Sequence, residues 1–205
     1  MSKKYYWIYK GYQVLSQFSQ EPFSKCKTLK EIFPFLPPDV YPVGRLDSDS
    51  EGLLILTNDK QLNVKLLNPN QKMVKTYWVQ LEGEISDLAI EQLSSGVTIR
   101  LPDGSYYQTL PAEVKKIVQP LSLPERNPPI RFRKNQPTSW ITISLQEGKN
   151  RQIRKMCAAV GFPVLRLIRF SIGNFCLPEF KENIIKEIDE LKLFKMLFTN
   201  NYRKL

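Results

Sequence analysis

The chain has 205 residues, with 30 Lys and Arg against 20 Asp and Glu, for a net charge of +10. That excess suits a polyanionic partner, since each cation set against a phosphate releases a condensed counterion; no stretch approaches the roughly 20 apolar residues of a membrane span. The three cysteines (Cys26, Cys157, Cys176) have no CxxC spacing, and histidine is absent altogether, which leaves no imidazole base or ligand and no disulfide or zinc framework.

The N-terminus, Met1-Ser2-Lys3-Lys4-Tyr5, lacks a signal-peptide apolar region, and with the scattered cysteines this fits a cytoplasmic protein. Tyr5-Tyr6-Trp7-Ile8-Tyr9 and Val14-Leu15-Ser16-Gln17-Phe18 read as two strands joined by a turn at Gly11. A short helix is expected at Leu29 to Ile32, before Pro34, Pro37 and Pro38. Leu53 to Thr57 has the apolar density of a buried strand. Asn58 or Asp59 then caps a helix carrying Leu62, Leu66 and Leu67, ended by Pro69. Lys75 to Leu81 alternates as a strand, and Ser86 to Ser95 reads as a helix stopped at Gly96. Short strands are expected around the Pro102-Asp103-Gly104 turn, then a Pro- and Arg-rich loop from Gln119 to Pro137. Trp140 to Leu145 is a strand, Asn150 to Val160 a helix, and Val164 to Ile172 a strand. The tail from Ile184 to Phe198 reads as a Lys-rich amphipathic helix. Strands and helices alternate without a steady βαβ rhythm, so the expected class is α+β with a mixed, mainly antiparallel central sheet flanked by helices.

The densest chemistry lies in Gly44-Arg45-Leu46-Asp47-Ser48-Asp49-Ser50-Glu51-Gly52-Leu53-Leu54. The spacing of Asp47, Asp49 and Glu51 imitates the start of a calcium loop. Position twelve, which must supply a bidentate carboxylate, is Asn58, and a β-like apolar run replaces the exiting helix. No metal site is therefore assigned. A solvated acidic turn is the plainer reading of these residues. Against it stands Arg45, which in extended chain shares a face with Asp47.

The run from Tyr41 to Thr57 resembles the G-R-L-D-x-x-[ST]-x-G-L-L-L-L-T signature of the pseudouridine synthases acting on ribosomal RNA. The resemblance is to the branch that holds the A-type enzyme of the small ribosomal subunit together with the B, E and F types of the large one, and is greatest to the E type. Two further segments agree. Lys75-Thr76-Tyr77-Trp78-Val79 resembles that family's K-x-Y-x-V element. Glu147-Gly148-Lys149-Asn150-Arg151-Gln152-Ile153-Arg154-Lys155-Met156, with Gly161 following, resembles its E-G-[KR]-x-x-Q-[IV]-[KR]-[RK]-M-x-x-x-x-G. At 100° per residue, Ile153, Met156, Cys157 and Val160 form one apolar stripe, and Arg154 lies about 60° from its edge at Cys157. Of the cations on this helix, Arg154 is the one placed to turn inward.

The resemblance implies a single catalytic domain over residues 1–205, with room for two lobes sharing a sheet, and without the small S4-type RNA-binding domain of many relatives. It implies an isomerase that needs no cofactor, with Asp47 as catalytic carboxylate, Tyr77 stacking on the extruded base and Arg154 as the partner of Asp47. Arg45 would hold displaced RNA and Lys75 would stand at the pocket rim. Arg131, Arg133, Lys134, Lys149, Arg151 and Lys155 would meet phosphates. The expected partner is ribosomal RNA, and closeness to the E type points to large-subunit (23S) RNA, bound by a monomer. Transfer RNA and small-subunit RNA are the alternative substrates. A non-catalytic RNA-binding or ribosome-assembly protein, a metal-dependent nuclease and a plain glycosidase are the rival functions.

Overall fold

The computed structural model describes residues 2–71, 73–131 and 136–198. In chain order its elements are β1 (Tyr5–Lys10), α1 (Leu29–Ile32), β2 (Tyr41–Pro42), β3 (Glu51–Thr57), α2 (Lys60–Leu67), β4 (Lys75–Glu82), α3 (Asp87–Ser95), β5 (Thr98–Arg100) and β6 (Tyr106–Gln108). They continue as β7 (Glu113–Ile117), β8 (Thr138–Leu145), α4 (Gln152–Ala159), β9 (Val164–Ile172), β10 (Phe175–Cys176), β11 (Ile185–Glu187) and α5 (Glu190–Phe198). The chain divides into two compact units, Met1–Met73 with Arg169–Leu205, and Val74–Ile168. β9 begins in the second and ends in the first.

In the first unit, β1 pairs antiparallel with β3 on one side and with β11 on the other, and β2 pairs with β3. Every residue of β3 is buried. Its side chains Leu54 and Leu56 join Ile8, Val14, Leu29, Phe33 and Val40 in one apolar cluster, each such side chain contributing about 1.5–3 kcal/mol. α1 opens on a full capping box. The Thr28 hydroxyl accepts from Glu31 N, and the Glu31 carboxylate accepts from Thr28 N. Asp59, rather than Asn58, caps α2 by accepting from Gln61 N at 2.9 Å.

In the second unit, β4 pairs antiparallel with β8 along its whole length, from Lys75 opposite Leu145 to Glu82 opposite Thr138, and β7 pairs with the other edge of β8. α3 is capped by Ser86 and stopped at Gly96, whose φ of 92° is open to glycine at little cost. Val79, Leu81, Leu93, Ile141, Ile143, Met156 and Cys157 are at the centre of this unit's core. Residues 119–131 form no regular element, as expected of this loop. It is tied down all the same: Arg126 donates to Pro128 O, and Arg166 on β9 donates to Pro124 O at 2.9 Å.

Three expectations are corrected. Residues 14–18 are not a strand, and only Val14 forms a bridge, to Lys27. Both edges of β1 are already filled by β3 and β11, so no hairpin partner fits beside it. The tail is not one helix: Ile185–Glu187 pairs with β1, and α5 starts only after Ile188 N donates to Tyr5 O. The open edge of β1 outweighs the helical periodicity there. Finally, α4 starts at Gln152 rather than Asn150, because Arg151 adopts a left-handed conformation (φ 52°, ψ 33°).

Candidate active site

In the first unit the acidic turn is built from below. Leu46 is buried, while Arg45 and Asp47 on either side of it are exposed, the alternation expected of extended chain. The Ser16 hydroxyl clamps the turn by accepting from Leu46 N at 3.0 Å and donating to Leu46 O at 2.8 Å. Ser50 N donates to Asp47 O at 3.0 Å, and Gln13 N donates to Ser48 O at 2.8 Å. The Asp47 carboxylate is thus carried on a backbone fixed at both neighbours. Arg45 lies 3.5 Å from the Glu21 carboxylate, with both side chains exposed, a pairing of small energetic consequence.

Beneath the turn is a charged layer that periodicity does not reveal. Glu51 is buried, and its carboxylate accepts from the Tyr9 hydroxyl at 2.8 Å. This turns the third carboxylate of the calcium-like spacing into the interior. Lys10 is 1% exposed, with Nζ donating to Gly11 O, Val14 O and Ser48 O. Arg169 is also buried and donates from Nε to Leu53 O at 2.8 Å. Gly52 (φ +106°) lies so close to β9 that a Cβ there would stand 2.4 Å from Arg169 O. The sequence does not mark them out: Arg169, for instance, is one of two arginines in Val164–Ile172, with Arg166.

In the second unit, Lys75 and Tyr77 lie two apart on β4 and so share a face; both are half-buried. Tyr77 packs against the core of this unit, opposite Ile143 of β8. On α4, Ile153, Met156 and Cys157 are buried and Val160 is half-buried, as the periodicity predicts. Arg154 is half-buried and reaches Val164 O at 3.4 Å. Burial pushes the Cys157 thiol up to about 12, while the neighbouring Arg154 charge pulls the other way. Arg151 and Arg131 are exposed and Lys155 is half-buried. Lys149 stands 4.5 Å over the Tyr107 ring, a cation–π contact of about 0.5–1 kcal/mol. Arg133 and Lys134 lie outside the described residues.

Glu147, the first residue of the third motif, organises this region. Its carboxylate accepts from the Tyr107 hydroxyl at 2.6 Å, from Leu110 N at 2.9 Å and from the Gln152 amide. That hydrogen bond raises the Tyr107 phenol above its ordinary range, with burial adding to it. Gln152 in turn accepts from Lys149 N at 2.9 Å. The Glu-Gly-Lys-x-x-Gln spacing therefore folds back on itself and fixes the start of α4, two residues before Arg154. Glu147→Leu should lower stability by about 1 kcal/mol, through the lost hydrogen bonds of the half-buried Tyr107 hydroxyl and the buried Gln152 side chain, while the amide of exposed Leu110 turns to water. Thermal melting checks this, and an unchanged midpoint would deny Glu147 its organising role.

Among the described residues no helix is long and apolar enough to cross a membrane, and no cluster of three or more Cys, Asp or Glu side chains is placed to hold a metal ion. The fold is similar to that of a pseudouridylate synthase seen in a crystal structure, over 95% of this chain and 74% of that one, with TM-score 0.74 and 22% identity. This likeness supports the α+β fold with a mixed, mainly antiparallel sheet. In sequence, the chain is 48% identical over 179 residues to ribosomal large subunit pseudouridine synthase E of Vibrio parahaemolyticus, covering 87% of this chain and 71% of that protein. It is 47% identical over 168 residues to the protein of the same name from Xanthomonas axonopodis, covering 82% and 85%. The family model for RNA pseudouridylate synthases matches residues 4–159. The first two motifs lie within that match, as does the third from Glu147 to Met156, and the chain belongs to the RNA pseudouridylate synthase family, enzymes that isomerise uridine in RNA.

Proposed function

We propose that the substrate is a uridine of large-subunit ribosomal RNA, and that Asp47 is the carboxylate that acts on it chemically. The observation that carries this reading is the unbroken run from Gly44 to Thr57. It sets an exposed carboxylate on a clamped turn directly before the fully buried β3. The two relatives named for the large subunit, similar over more than four-fifths of the chain, support the choice of RNA. The enzyme works in the cytoplasm as a monomer.

The reaction breaks the N1–C1′ bond, turns the base and joins C5 to C1′. N1 ends with a proton, and C5 releases its hydrogen to water. The breaking step resembles glycoside cleavage, in which a carboxylate meets an electron-poor sugar carbon. Asp47 is exposed in the chain alone, so the bound RNA itself supplies the exclusion of water that strengthens charge interactions at the reacting atoms. Tyr77 offers its ring to the extruded base, and Arg154 sets its positive charge against the Asp47 carboxylate. Arg45 holds the displaced strand, Lys75 assists beside the base, and Arg131, Arg133, Lys134, Lys149, Arg151 and Lys155 meet phosphates. Lys149 must leave the Tyr107 ring to do so, a cost of about 1 kcal/mol or less.

Two measurements test the assignment. Pseudouridines are mapped in ribosomal RNA from cells with and without the protein; the expected result is one large-subunit position that loses its modification. No lost position in that RNA, or a loss confined to transfer RNA or small-subunit RNA, overturns the substrate. Arg154→Ala is expected to lower kcat about 100-fold with KM little changed, the pattern of an interaction made in the transition state. An equal kcat with raised KM would instead make Arg154 a phosphate ligand.

A further inference from the structure

The face of α4 turned away from the core of the second unit borders a groove of about 540 Å³, inside the range of roughly 300–1,000 Å³ that small ligands occupy. β5 and the turn after it form one wall, with Leu101 and Pro102; α4 forms the other, with Ala158 and Ala159. At 100° per residue, Lys155, Ala158 and Ala159 fall within about 100° of arc, on the side opposite Ile153, Met156 and Cys157. Both alanines are exposed, and their small side chains leave the groove its depth. Tyr77 belongs to the core that the buried stripe joins, so the groove lies across α4 from it.

The polar groups around it are mainly basic. Arg100 on β5 and Lys155 on α4 stand on opposite walls. Asn150 adds an amide that both donates and accepts, and exposed Arg151 follows it just before the helix. Asp103, in the turn between β5 and β6, brings one carboxylate nearby. It accepts from Ser105 N at 3.0 Å and from Ser105 Oγ at 2.7 Å, which holds it below its ordinary range, and the charge of Lys155 acts in the same direction. Apolar walls between two cations suit a flat base flanked by phosphates. A hydrocarbon ligand would leave the cations unused, and a bare phosphate would leave the walls unused.

We propose that this groove binds one unpaired nucleotide of the RNA substrate other than the reacting uridine, its base against Leu101, Pro102, Ala158 and Ala159 and its flanking phosphates against Arg100 and Lys155. This rests on RNA as the substrate, and not on Asp47 or on the choice of the large subunit. The groove supplies affinity rather than chemistry. Contacts to a nucleotide that does not react are the same in the bound substrate and in the transition state, so they lower KM and leave kcat alone. Unpaired bases are what proteins read in RNA, and the groove thus extends recognition beyond the target uridine.

Two variants test this without touching the core. Arg100→Ala removes one cation, and Ala159→Leu fills the groove at an exposed helical position that suits leucine. The assay is tritium release from large-subunit RNA, transcribed without modifications and labelled at C5 of uridine. Each variant should raise KM about 3- to 10-fold with kcat within about twofold. Arg100→Ala should also lose about 0.7 from the slope of log affinity against log salt, the share of one single-strand phosphate contact. A direct titration does not depend on which RNA is modified. A single-stranded RNA octamer should shift the Ala158 and Ala159 methyl resonances of the wild-type protein. An abasic octamer of equal charge should bind about tenfold more weakly, since it lacks the apolar surface that the walls cover. Unchanged KM in both variants overturns the proposal, as do alanine methyls that ignore the octamer. Equal shifts from the abasic octamer would make the groove an anion site only, and overturn the base contact. Wild-type protein that releases no tritium from this RNA sinks the choice of large-subunit RNA instead, and the methyl titration still decides whether the groove binds a nucleotide.

Discussion

Asp47→Asn is expected to bind RNA as the wild-type protein does and to release tritium from C5-labelled uridine at least about 1,000-fold more slowly, a loss of some 4 kcal/mol in transition-state stabilisation. The substitution is nearly isosteric, and the backbone contacts that fix the turn involve Leu46 N, Leu46 O, Asp47 O and Ser48 O, none of them the side chain. Folding should therefore be preserved, leaving chemistry as the quantity that changes. A non-catalytic RNA-binding protein on this fold predicts no turnover by either form, and a nuclease on Asp47, Asp49 and Glu51 predicts strand cleavage that a chelator stops. Full tritium release by the variant would remove Asp47 from the mechanism.

The second large effect is expected at Gly52. Two penalties coincide in Gly52→Ala: a φ of +106°, and a Cβ 2.4 Å from Arg169 O and 2.7 Å from Arg169 N. Backbone atoms cannot swing aside as a side-chain end can, so either β3 and the end of β9 separate or the turn distorts. Strain of about 1–3 kcal/mol for the conformation, with the clash added, puts the loss at about 3–5 kcal/mol, a large share of a domain's total stability. Urea unfolding should show a much lower midpoint or an insoluble protein. A loss below about 1 kcal/mol would mean that this approach of the two strands relaxes freely.

The elements that are legible in the sequence are those whose pattern is local. β3 shows in the density of Leu53 to Leu56, α3 in Ser86 and Gly96 at its ends, and the stripe of α4 in Ile153, Met156 and Cys157. Residues 14–18 and 184–188 depart from their local pattern for one shared reason. The available edges of β1 decide both segments, and those edges are set by partners 40 or more positions away in β3 and in the tail. The acidic turn can be located because its residues are contiguous, and the outward placement of Arg45 and Asp47 around Leu46 follows from simple alternation. What lies beneath it cannot be read. Lys10, Glu51 and Arg169 occupy positions where a strand normally puts apolar side chains, and only their folded neighbours supply the carbonyls and hydroxyl that make such burial tolerable. Glu147 is hidden likewise: its partners Tyr107 and Leu110 are 40 and 37 residues away.

Among the described residues, β7 ends the strand order of the second unit, leaving one row of its amides and carbonyls without a neighbouring strand. Its sequence, Glu-Val-Lys-Lys-Ile, places Glu113, Lys115 and Lys116 along that edge, with Lys115 paired to Glu113 at 2.7 Å and Lys116 paired to Glu84. A second copy that tried to extend the sheet there would have to strip water from three charges and break two ion pairs for a few hydrogen bonds. The charged border makes recruitment of a strand from another molecule unfavourable, and so protects the protein against edge-to-edge aggregation.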